Sequence, residues 1–174
     1  TYIVGGKYNS NGTILKIAEN GEIKLEKEIS TYSEVFFITT NPNGGYIIGD
    51  YTQSSIVRVF DEEFNLKWST TNSNTNLNYI YVNDAVVDKK GNIVVIRTHA
   101  NSDGRKAYIS KYDANGNLQW KKEYGSIKET FNAIKLDENG NYKVVGGKKV
   151  NTDSIQLSEA IIVTYDTEGN ILHD

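Results

Sequence analysis

The sequence contains no cysteine, no methionine and a single proline, Pro42. Without cysteine the chain can form no disulfide, no thiolate nucleophile and no cysteine-ligated metal site. Because even an initiator methionine is missing, we expect Thr1 not to be the start of translation. We therefore expect the 174 residues to be a piece of a longer protein.

Long apolar runs and an excess of positive charge are also missing. No stretch of about 18 apolar residues occurs, so the sequence predicts no membrane-spanning helix. The formal net charge is −3, from 19 Lys and Arg against 22 Asp and Glu. Since no basic excess is available to neutralise phosphates, we expect neither nucleic acid nor membrane insertion.

A helical period of 3.6 residues is absent as well, and repeated strand-like segments stand in its place. One 13-residue segment recurs four times, ending in Leu25, Trp68, Trp120 and His173. The residues that open its central turn, which are Ala18, Asp61, Asp113 and Asp166, lie 43, 52 and 53 residues apart. This period is typical of propeller blades, each of which has four strands.

A second segment recurs between those copies and completes each unit. Its full copies begin at Asn41, Asp88 and Asp137, and Tyr2–Gly6 is a copy without its front half. Short runs rich in Val, Ile, Tyr and Phe, joined by Asn-Gly links, predict strands and hairpin turns. We name the four strands of a unit a to d; the first unit lacks strand a. The repeat units are about 1–29, 30–72, 73–124 and 125–174.

The predicted fold is therefore all-β, a single β-propeller domain or fragment of about four four-stranded antiparallel blades. Two arrangements remain open. The chain is an arc of a larger propeller, which we favour because the C-terminus supplies no extra strand a to complete the first unit. Alternatively, it is a small closed four-bladed propeller.

The motif Asp113-Ala-Asn-Gly-Asn-Leu-Gln-Trp120, together with Gly44-Gly-Tyr-Ile-Ile48, resembles the repeats of bacterial surface and secreted β-propellers. The Asp-x-x-Gly-x-x-x-Trp element is similar to the tryptophan-docking motif of PQQ-like, quinoprotein-type blades. The resemblance implies a tryptophan packed between neighbouring blades and an extracellular or cell-surface location in bacteria. Leu25 and His173 depart from it at the tryptophan position. Nothing matches a quinone site, so no cofactor is expected.

Loop lengths indicate where a ligand would bind. The a–b and c–d links are short and uniform, whereas the b–c and d–a links vary and emerge on the same face of a blade. The long links predicted there are His99–Lys106, Lys148–Glu159 and Thr70–Asn83. Because binding residues concentrate in variable loops on rigid scaffolds, we expect the binding surface on this face.

The candidate binding residues lie in these links. The b–c links hold His99, Asn101, Asp103 and Arg105, and then Asn151 and Asp153; the d–a link holds Tyr79 and Tyr81. His99 is either a general base or ligand contact, or part of a solvated polar loop. The tyrosines either stack on a sugar or peptide, or simply extend strand a.

Two further patterns have competing interpretations. The Asp-x-Asn-Gly-Asn segments at Asp113 and Asp137 resemble calcium loops, but no glutamate follows at the closing position of an EF-hand, so we favour hairpin turns. Arg58 and Lys111 lie on strand c and are expected to face outward. No catalytic residue and no metal ligand is predicted.

The leading functional hypothesis is a non-catalytic extracellular module whose variable face contacts a protein or a glycan. One alternative is a fragment of a propeller-fold glycan-processing enzyme that uses His99. Another is a structural unit that self-associates through its arcs. The fold alone does not choose among these functions.

Overall fold

A computed structural model confirms the all-β fold. It describes residues 1–51, 55–71, 79–102, 104–126, 128–152 and 155–174, and no helix occurs among them. No helix with the length and hydropathy of a membrane span therefore occurs in those ranges. The described residues form fifteen strands: β1 Tyr2–Tyr8, β2 Asn11–Ile17, β3 Ile23–Ser30, β4 Glu34–Thr40, β5 Tyr46–Tyr51, β6 Ser55–Phe60, β7 Leu66–Thr71, β8 Tyr79–Val87, β9 Ile93–Asn101, β10 Gly104–Tyr112, β11 Leu118–Tyr124, β12 Glu129–Leu136, β13 Tyr142–Thr152, β14 Ile155–Tyr165 and β15 Ile171–His173.

The strands form four antiparallel sheets in which neighbours in sequence are neighbours in space. Blade A has three strands, β1 to β3, and blades B, C and D have four each, β4–β7, β8–β11 and β12–β15. The chain divides into two compact units, Thr1–Ser73 and Asn74–Asp174. Unit 1 holds blades A and B, and unit 2 holds blades C and D.

The Asp-x-x-Gly-Asn segments are tight turns held by their own side chains. In the turn after β10, Asp113 Oδ1 accepts hydrogen bonds from the backbone N–H groups of Asn115 and Asn117, both at 2.9 Å. The Asn117 side chain donates to Asp113 Oδ2 at 2.8 Å. This side-chain bond, followed by the Asn117 N–H, lowers the pKa of Asp113. Because the carboxylate is occupied by the turn, the hairpin interpretation is confirmed over the calcium loop.

Equivalent hydrogen-bonded turns begin at the other aspartates of the repeat. The same pairing of an aspartate with the asparagine four residues later recurs at Asp61, Asp88, Asp137 and Asp166. The turns lie at a–b and c–d links alike, so one short sequence closes both kinds of hairpin. Short uniform turns at these links were predicted from the sequence and are confirmed.

In unit 2, strand a of blade D packs across the face of blade C. The shared core contains Ile96, Ile109, Phe131, Val144 and Val163, each of which is 0% exposed. At the rim, the Trp120 side chain of blade C donates from Nε1 to the backbone oxygen of Thr167 in blade D at 3.2 Å. A Cβ atom placed on Gly169 would lie 3.1 Å from the indole. Trp120 thus docks on the c–d turn of the next blade, as the motif implied.

In unit 1 the equivalent contact has a small residue at the tryptophan position and a large residue at the glycine position. Leu25 of blade A takes the tryptophan position and packs against the core of blades A and B. The turn residue of blade B at the glycine position is Phe64, which is 0% exposed and has φ of 61°. Its ring stacks on Tyr46 with centroids 4.4 Å apart. A small residue over a large one replaces Trp120 over Gly169.

The long b–c links proposed for unit 2 were wrong. His99–Lys106 and Lys148–Glu159 are largely strand, because β9 pairs with β10 out to Asn101 and Gly104, and β13 pairs with β14 out to Thr152 and Ile155. Their polar residues suggested loops. However, two paired strands satisfy the backbone hydrogen bonds of these segments even where the side chains are polar. The alternative that Tyr79–Val82 extends strand a is confirmed by β8.

Leu25 and Phe64 of unit 1 stand where unit 2 has Trp120 and Gly169. We therefore predict that the effects of Leu25→Trp and Phe64→Gly on stability are coupled. Leu25→Trp alone should destabilise unit 1 by about 1–3 kcal/mol through overpacking. Phe64→Gly alone should cost about 3–5 kcal/mol through the cavity it leaves. Phe64→Gly leaves a cavity that the larger side chain of Leu25→Trp can fill. The double variant should therefore be at least about 1 kcal/mol more stable than the sum of the two single effects predicts. Urea denaturation of the four proteins measures this coupling; additivity within about 0.5 kcal/mol would contradict the exchange.

Candidate functional site

Five of the candidate residues lie at one end of blade C, on three neighbouring strands. Tyr79 of β8 pairs with Ala100, and Tyr81 pairs with Thr98. Asn101 ends β9 opposite Gly104, and Arg105 follows on β10. His99 lies between them, paired with Ile80 on one side and Lys106 on the other. We call this end of blades C and D, where β9 and β13 end, the loop end of unit 2.

A row of cations crosses the loop end from blade C to blade D. Arg105 forms a parallel β-bridge with Lys128, and the backbone N–H of Lys149 donates to the Lys128 oxygen at 3.1 Å. The three side chains are exposed. Among the described residues, none of the three forms a salt bridge with an acid. The fold therefore gathers three exposed cations from separate parts of the chain.

The turn beneath this row is fixed by a buried acid. Glu129 is 3% exposed, and its carboxylate accepts hydrogen bonds from the backbone N–H groups of Ser126 at 2.7 Å and Lys128 at 3.2 Å. Lys148 Nζ lies 3.9 Å from the same carboxylate. Because Glu129 accepts hydrogen bonds from Ser126 and Lys128, the backbone of Lys128 is held in a defined position.

His99 is buried, contrary to the solvated loop expected for it. It is 2% exposed, and its ring stacks on Tyr108 with centroids 4.0 Å apart. Burial, then the charges of Lys121 and Arg97, lowers the pKa of His99 to about 4. The imidazole is therefore neutral at physiological pH, and its packing favours a structural role over a general base.

A cluster of charged and aromatic side chains surrounds His99 on the same face of blade C. The Tyr108 hydroxyl donates to Glu123 at 3.1 Å, and Glu123 also pairs with Lys106. Lys121 Nζ lies 4.4 Å from the centre of the Tyr108 ring. Burial, followed by the charge of Arg97, lowers the pKa of Lys121. The cluster thus carries more positive than negative charge.

Arg97 is the most deeply buried member of this face, with 0% of its surface exposed. Its Nη1 donates to the Tyr112 hydroxyl at 3.2 Å. Nε and Nη2 have no hydrogen-bond partner among the described residues, and the nearby Ser110 hydroxyl has none either. Burial lowers the pKa of Arg97. These donors are of the kind that bind a carboxylate or a water.

Arg58 and Lys111 do not face outward as expected. Arg58 Nε lies 3.1 Å from Oδ1 of Asp50, a carboxylate with 0% exposure. Lys111 is 7% exposed; its Nζ lies 3.1 Å from Asp88 Oδ2 and donates to the Thr167 oxygen at 3.1 Å. Both cations are positioned by acids on strand b or in the a–b turn, which the sequence pattern of strand c alone does not reveal.

The remaining candidates are only partly placed. Asn151 lies on β13 opposite Gln156, in the extended hairpin of blade D and apart from the blade C cluster. Asp103 and Asp153 lie outside the described residues. Sequence reasoning missed Arg97, Lys121 and Lys128. The one signal for Arg97 was an arginine directly after the apolar run Ile93–Ile96, at a position where two other repeats have glycine.

Within the described ranges, no group of three acidic or histidine side chains is arranged to hold a metal ion. Tyr108, Glu123 and Lys106 are instead bonded to one another across neighbouring strands. What the arrangement offers chemically is therefore a set of cationic donors and aromatic faces.

No protein-family model matches the sequence, and no curated protein matches it. Among solved structures, a protein of unknown function from Bacteroides caccae aligns with a TM-score of 0.59 and 14% identity, over 98% of this chain and 70% of that one. This likeness shows a shared fold. Drosophila Plexin A in complex with Semaphorin 1b aligns with a TM-score of 0.37 and 7% identity, over 94% of this chain and 51% of that one, which is too low to bear on this protein.

The buried imidazole predicts a pH-dependent stability. The folded-state pKa of His99, about 4, lies below its ordinary value of 6.5, so the unfolded chain takes up the proton first as the pH falls. Stability present above pH 6.5 is therefore lost toward pH 4. Between pH 7 and pH 5, His99 should account for about 2 kcal/mol of the loss.

Urea denaturation at both pH values tests this origin. His99→Gln should remove that part of the pH dependence, since glutamine does not titrate. His173→Gln, at an exposed position, is the matched control and should leave the dependence unchanged. Equal pH dependence in His99→Gln and the wild type would show that His99 is not its source.

The buried guanidinium predicts a gain in stability when its charge is removed. Arg97→Met keeps most of the side-chain volume and removes Nε and Nη2, which have no hydrogen-bond partner in the described part of the chain. The free energy of unfolding should rise by about 1–3 kcal/mol. Arg105→Met, at an exposed position on the neighbouring strand, should change it by less than about 0.5 kcal/mol. Destabilisation by Arg97→Met, measured in urea, would contradict the prediction.

Proposed function

We propose that the protein is a non-catalytic binding module of a bacterial surface or secreted protein, and that the loop end of unit 2 contacts a protein or glycan bearing acidic groups. The observation that carries the proposal is the row Arg105, Lys128 and Lys149. These residues come from three strands or links and meet through backbone hydrogen bonds. The bacterial and extracellular part of the proposal rests on the resemblance of the repeats.

The rigidity of this row supports binding. Each of the three residues is anchored to a β-ladder or to the turn held by Glu129. Because the backbone is already ordered, binding a ligand costs less entropy than it would if long loops had to be immobilised. The chain as a whole is acidic, at −3, so a local excess of cations at one end directs an acidic partner to that end.

The neighbouring aromatic residues add a second kind of contact. Tyr79 and Tyr81 lie on β8 at the same end of blade C. Aromatic rings stack on sugar rings and on apolar side chains, and cations bind carboxylates or sulfates. A ligand that combines the two features, such as an acidic polysaccharide or an acidic protein loop, would satisfy both.

The burial of His99 gives the enzymatic alternative little support. A general base must reach the proton that it removes, and an imidazole with 2% exposure and a pKa of about 4 is poorly suited to that role at neutral pH. The self-association alternative concerns other surfaces, because the row of cations lies at the strand ends and not on a blade face.

A charge-matched pair of variants tests the proposal. The protein is screened against neutral, carboxylated and sulfated oligosaccharides and against acidic peptides, and the best binder is titrated by calorimetry. Arg105→Ala, Lys128→Ala and Lys149→Ala combined should weaken binding at least tenfold, a loss of about 1.4 kcal/mol. The wild-type affinity should also fall as salt rises.

The control removes three charges elsewhere. Lys67→Ala, Lys89→Ala and Lys90→Ala combined change exposed lysines outside the loop end by the same net charge. This variant should bind within about twofold of the wild type if the row is specific. Equal losses in the two variants would indicate attraction by net charge only, and retention of binding in the first would overturn the proposal.

A further inference from the structure

The three cations of the loop end form a line in which Lys128 is the middle member. Arg105 forms the parallel β-bridge with Lys128, and the backbone N–H of Lys149 donates to the Lys128 oxygen at 3.1 Å. Hydrogen-bonded neighbouring strands lie about 4.8 Å apart, so the backbone positions of the line are spaced one strand apart. The line therefore contains two adjacent pairs of cations, and Lys128 belongs to both pairs.

Neutral residues stand beside both ends of this line. In the ladders of the described strands, Arg105 pairs with Ala100 and Lys149 pairs with Ser158. The acid that follows the middle cation, Glu129, is 3% exposed, and its carboxylate accepts hydrogen bonds from backbone N–H groups. A ligand that reaches the line from solvent therefore meets exposed cations with neutral cross-strand neighbours.

The main-chain groups of the line are already engaged within the protein. The Lys128 N–H donates to the Glu129 carboxylate at 3.2 Å, and the Lys128 oxygen accepts from Lys149. Arg105 lies between β9 on one side and Lys128 on the other. An extended peptide needs partners for its own N–H and C=O groups, which an open sheet edge supplies. The described residues of the line offer no such edge, so a peptide lying across it would gain no main-chain hydrogen bonds there.

A glycan fits these conditions better than a peptide does. It has no repeating peptide groups to satisfy, and its hydroxyl groups remain hydrated on an exposed surface. Its acidic groups are carboxylates or sulfates, which arginine and lysine bind through charge-assisted hydrogen bonds. The register also continues the line from Arg105 through Ala100 to Tyr79 on β8. Because aromatic residues stack on sugar rings, a tyrosine at that position favours a sugar ligand.

We propose that the loop end of unit 2 binds an anionic glycan through acidic groups on two adjacent sugars, and that Lys128 contacts every bound ligand. A ligand with two acidic groups has two registers on the line, one on Arg105 and Lys128 and the other on Lys128 and Lys149. Carboxylates and sulfates share the chemistry that these cations recognise. The proposal rests on the binding function proposed above and specifies its ligand class and its central residue.

Three disaccharides and one peptide are the probes. The sugars are the 1,4-linked disaccharide of galacturonic acid, its neutral galactose counterpart and a disaccharide with one sulfate on each ring. Each is titrated by calorimetry into the complete 174-residue chain at about 0.15 M salt, where distant charges are largely screened. At least one anionic sugar should bind saturably, and the neutral sugar at least about tenfold more weakly. The blocked peptide Glu-Ala-Glu also has two carboxylates but should bind at least about fivefold more weakly than that anionic sugar, because its flexible backbone must be ordered.

Substitutions along the line distinguish its middle from its ends. Arg105→Ala and Lys149→Ala each leave one of the two registers and should weaken disaccharide binding by only about twofold. Lys128→Ala removes both registers and should weaken it at least about tenfold. Arg105→Ala and Lys149→Ala combined should also lose at least about tenfold, more than the product of the single effects, because Lys128 then has no neighbour. Lys90→Ala, at an exposed position outside the loop end, is the charge-matched control and should bind as the wild type does.

Four results would overturn the proposal, and they separate it from the function on which it rests. Equal losses in the three single variants would indicate attraction by net charge only. Wild-type affinity in a folded Lys128→Ala protein would exclude Lys128 as the shared contact. Tighter binding of Glu-Ala-Glu than of either anionic sugar would assign the loop end to an acidic peptide, and its binding function would stand with another ligand. If none of the acidic probes binds, the proposed function fails together with the glycan assignment.

Discussion

Within each unit, one blade depends on the first strand of the following blade to cover its face. A four-stranded sheet has two faces and cannot bury either by itself, so the apolar alternation of its strands stabilises the fold only when a second sheet packs on it. In unit 1, β4 lies against β1 and β2; in unit 2, β12 lies against β8, β9 and β10. The bulges in β4 at residue 36 and in β12 at residue 132 adapt these strands to this double contact.

The contact between the d strand of one blade and the c–d turn of the next has a similar total side-chain volume in both units, although the residue types differ. Trp120 over Gly169 and Leu25 over Phe64 fill similar spaces from opposite sides. Close packing explains why the exchange works, because an interior that loses a ring at one position must gain atoms beside it. It also explains why Phe64 is held at a positive φ, which a phenylalanine adopts only when its surroundings compensate for the strain.

One repeat position on strand b gives the blades their individual chemistry. It is Gly6 in blade A, Asp50 in blade B, Arg97 in blade C and Gly146 in blade D. The acid is paired with Arg58, and the base donates to Tyr112, while Gly146 leaves room for the backbone oxygen of Thr130. A scaffold of equivalent blades can therefore vary its buried charge without changing its turns.

The sequence by itself determined the turns, the number of repeats and the central part of each strand, but not how far the b and c strands of unit 2 extend. An aspartate with an asparagine four residues later makes its own hydrogen bonds, and alternating apolar residues need no distant partner to define a strand. Tyr79, Tyr81, His99, Asn101 and Arg105 could be assigned to one end of a blade for the same reason.

Only the tertiary structure decided which side chains are buried and which meet. His99 is buried because Tyr108, on the next strand, stacks on it, and Lys128 joins Arg105 and Lys149 through backbone contacts between separate hairpins. The sequence predicts a surface position for Lys111, whereas in the structure its side chain contacts Asp88 and Thr167. These pairings join residues that are distant in sequence, and a pattern with a period of two residues carries no information about them.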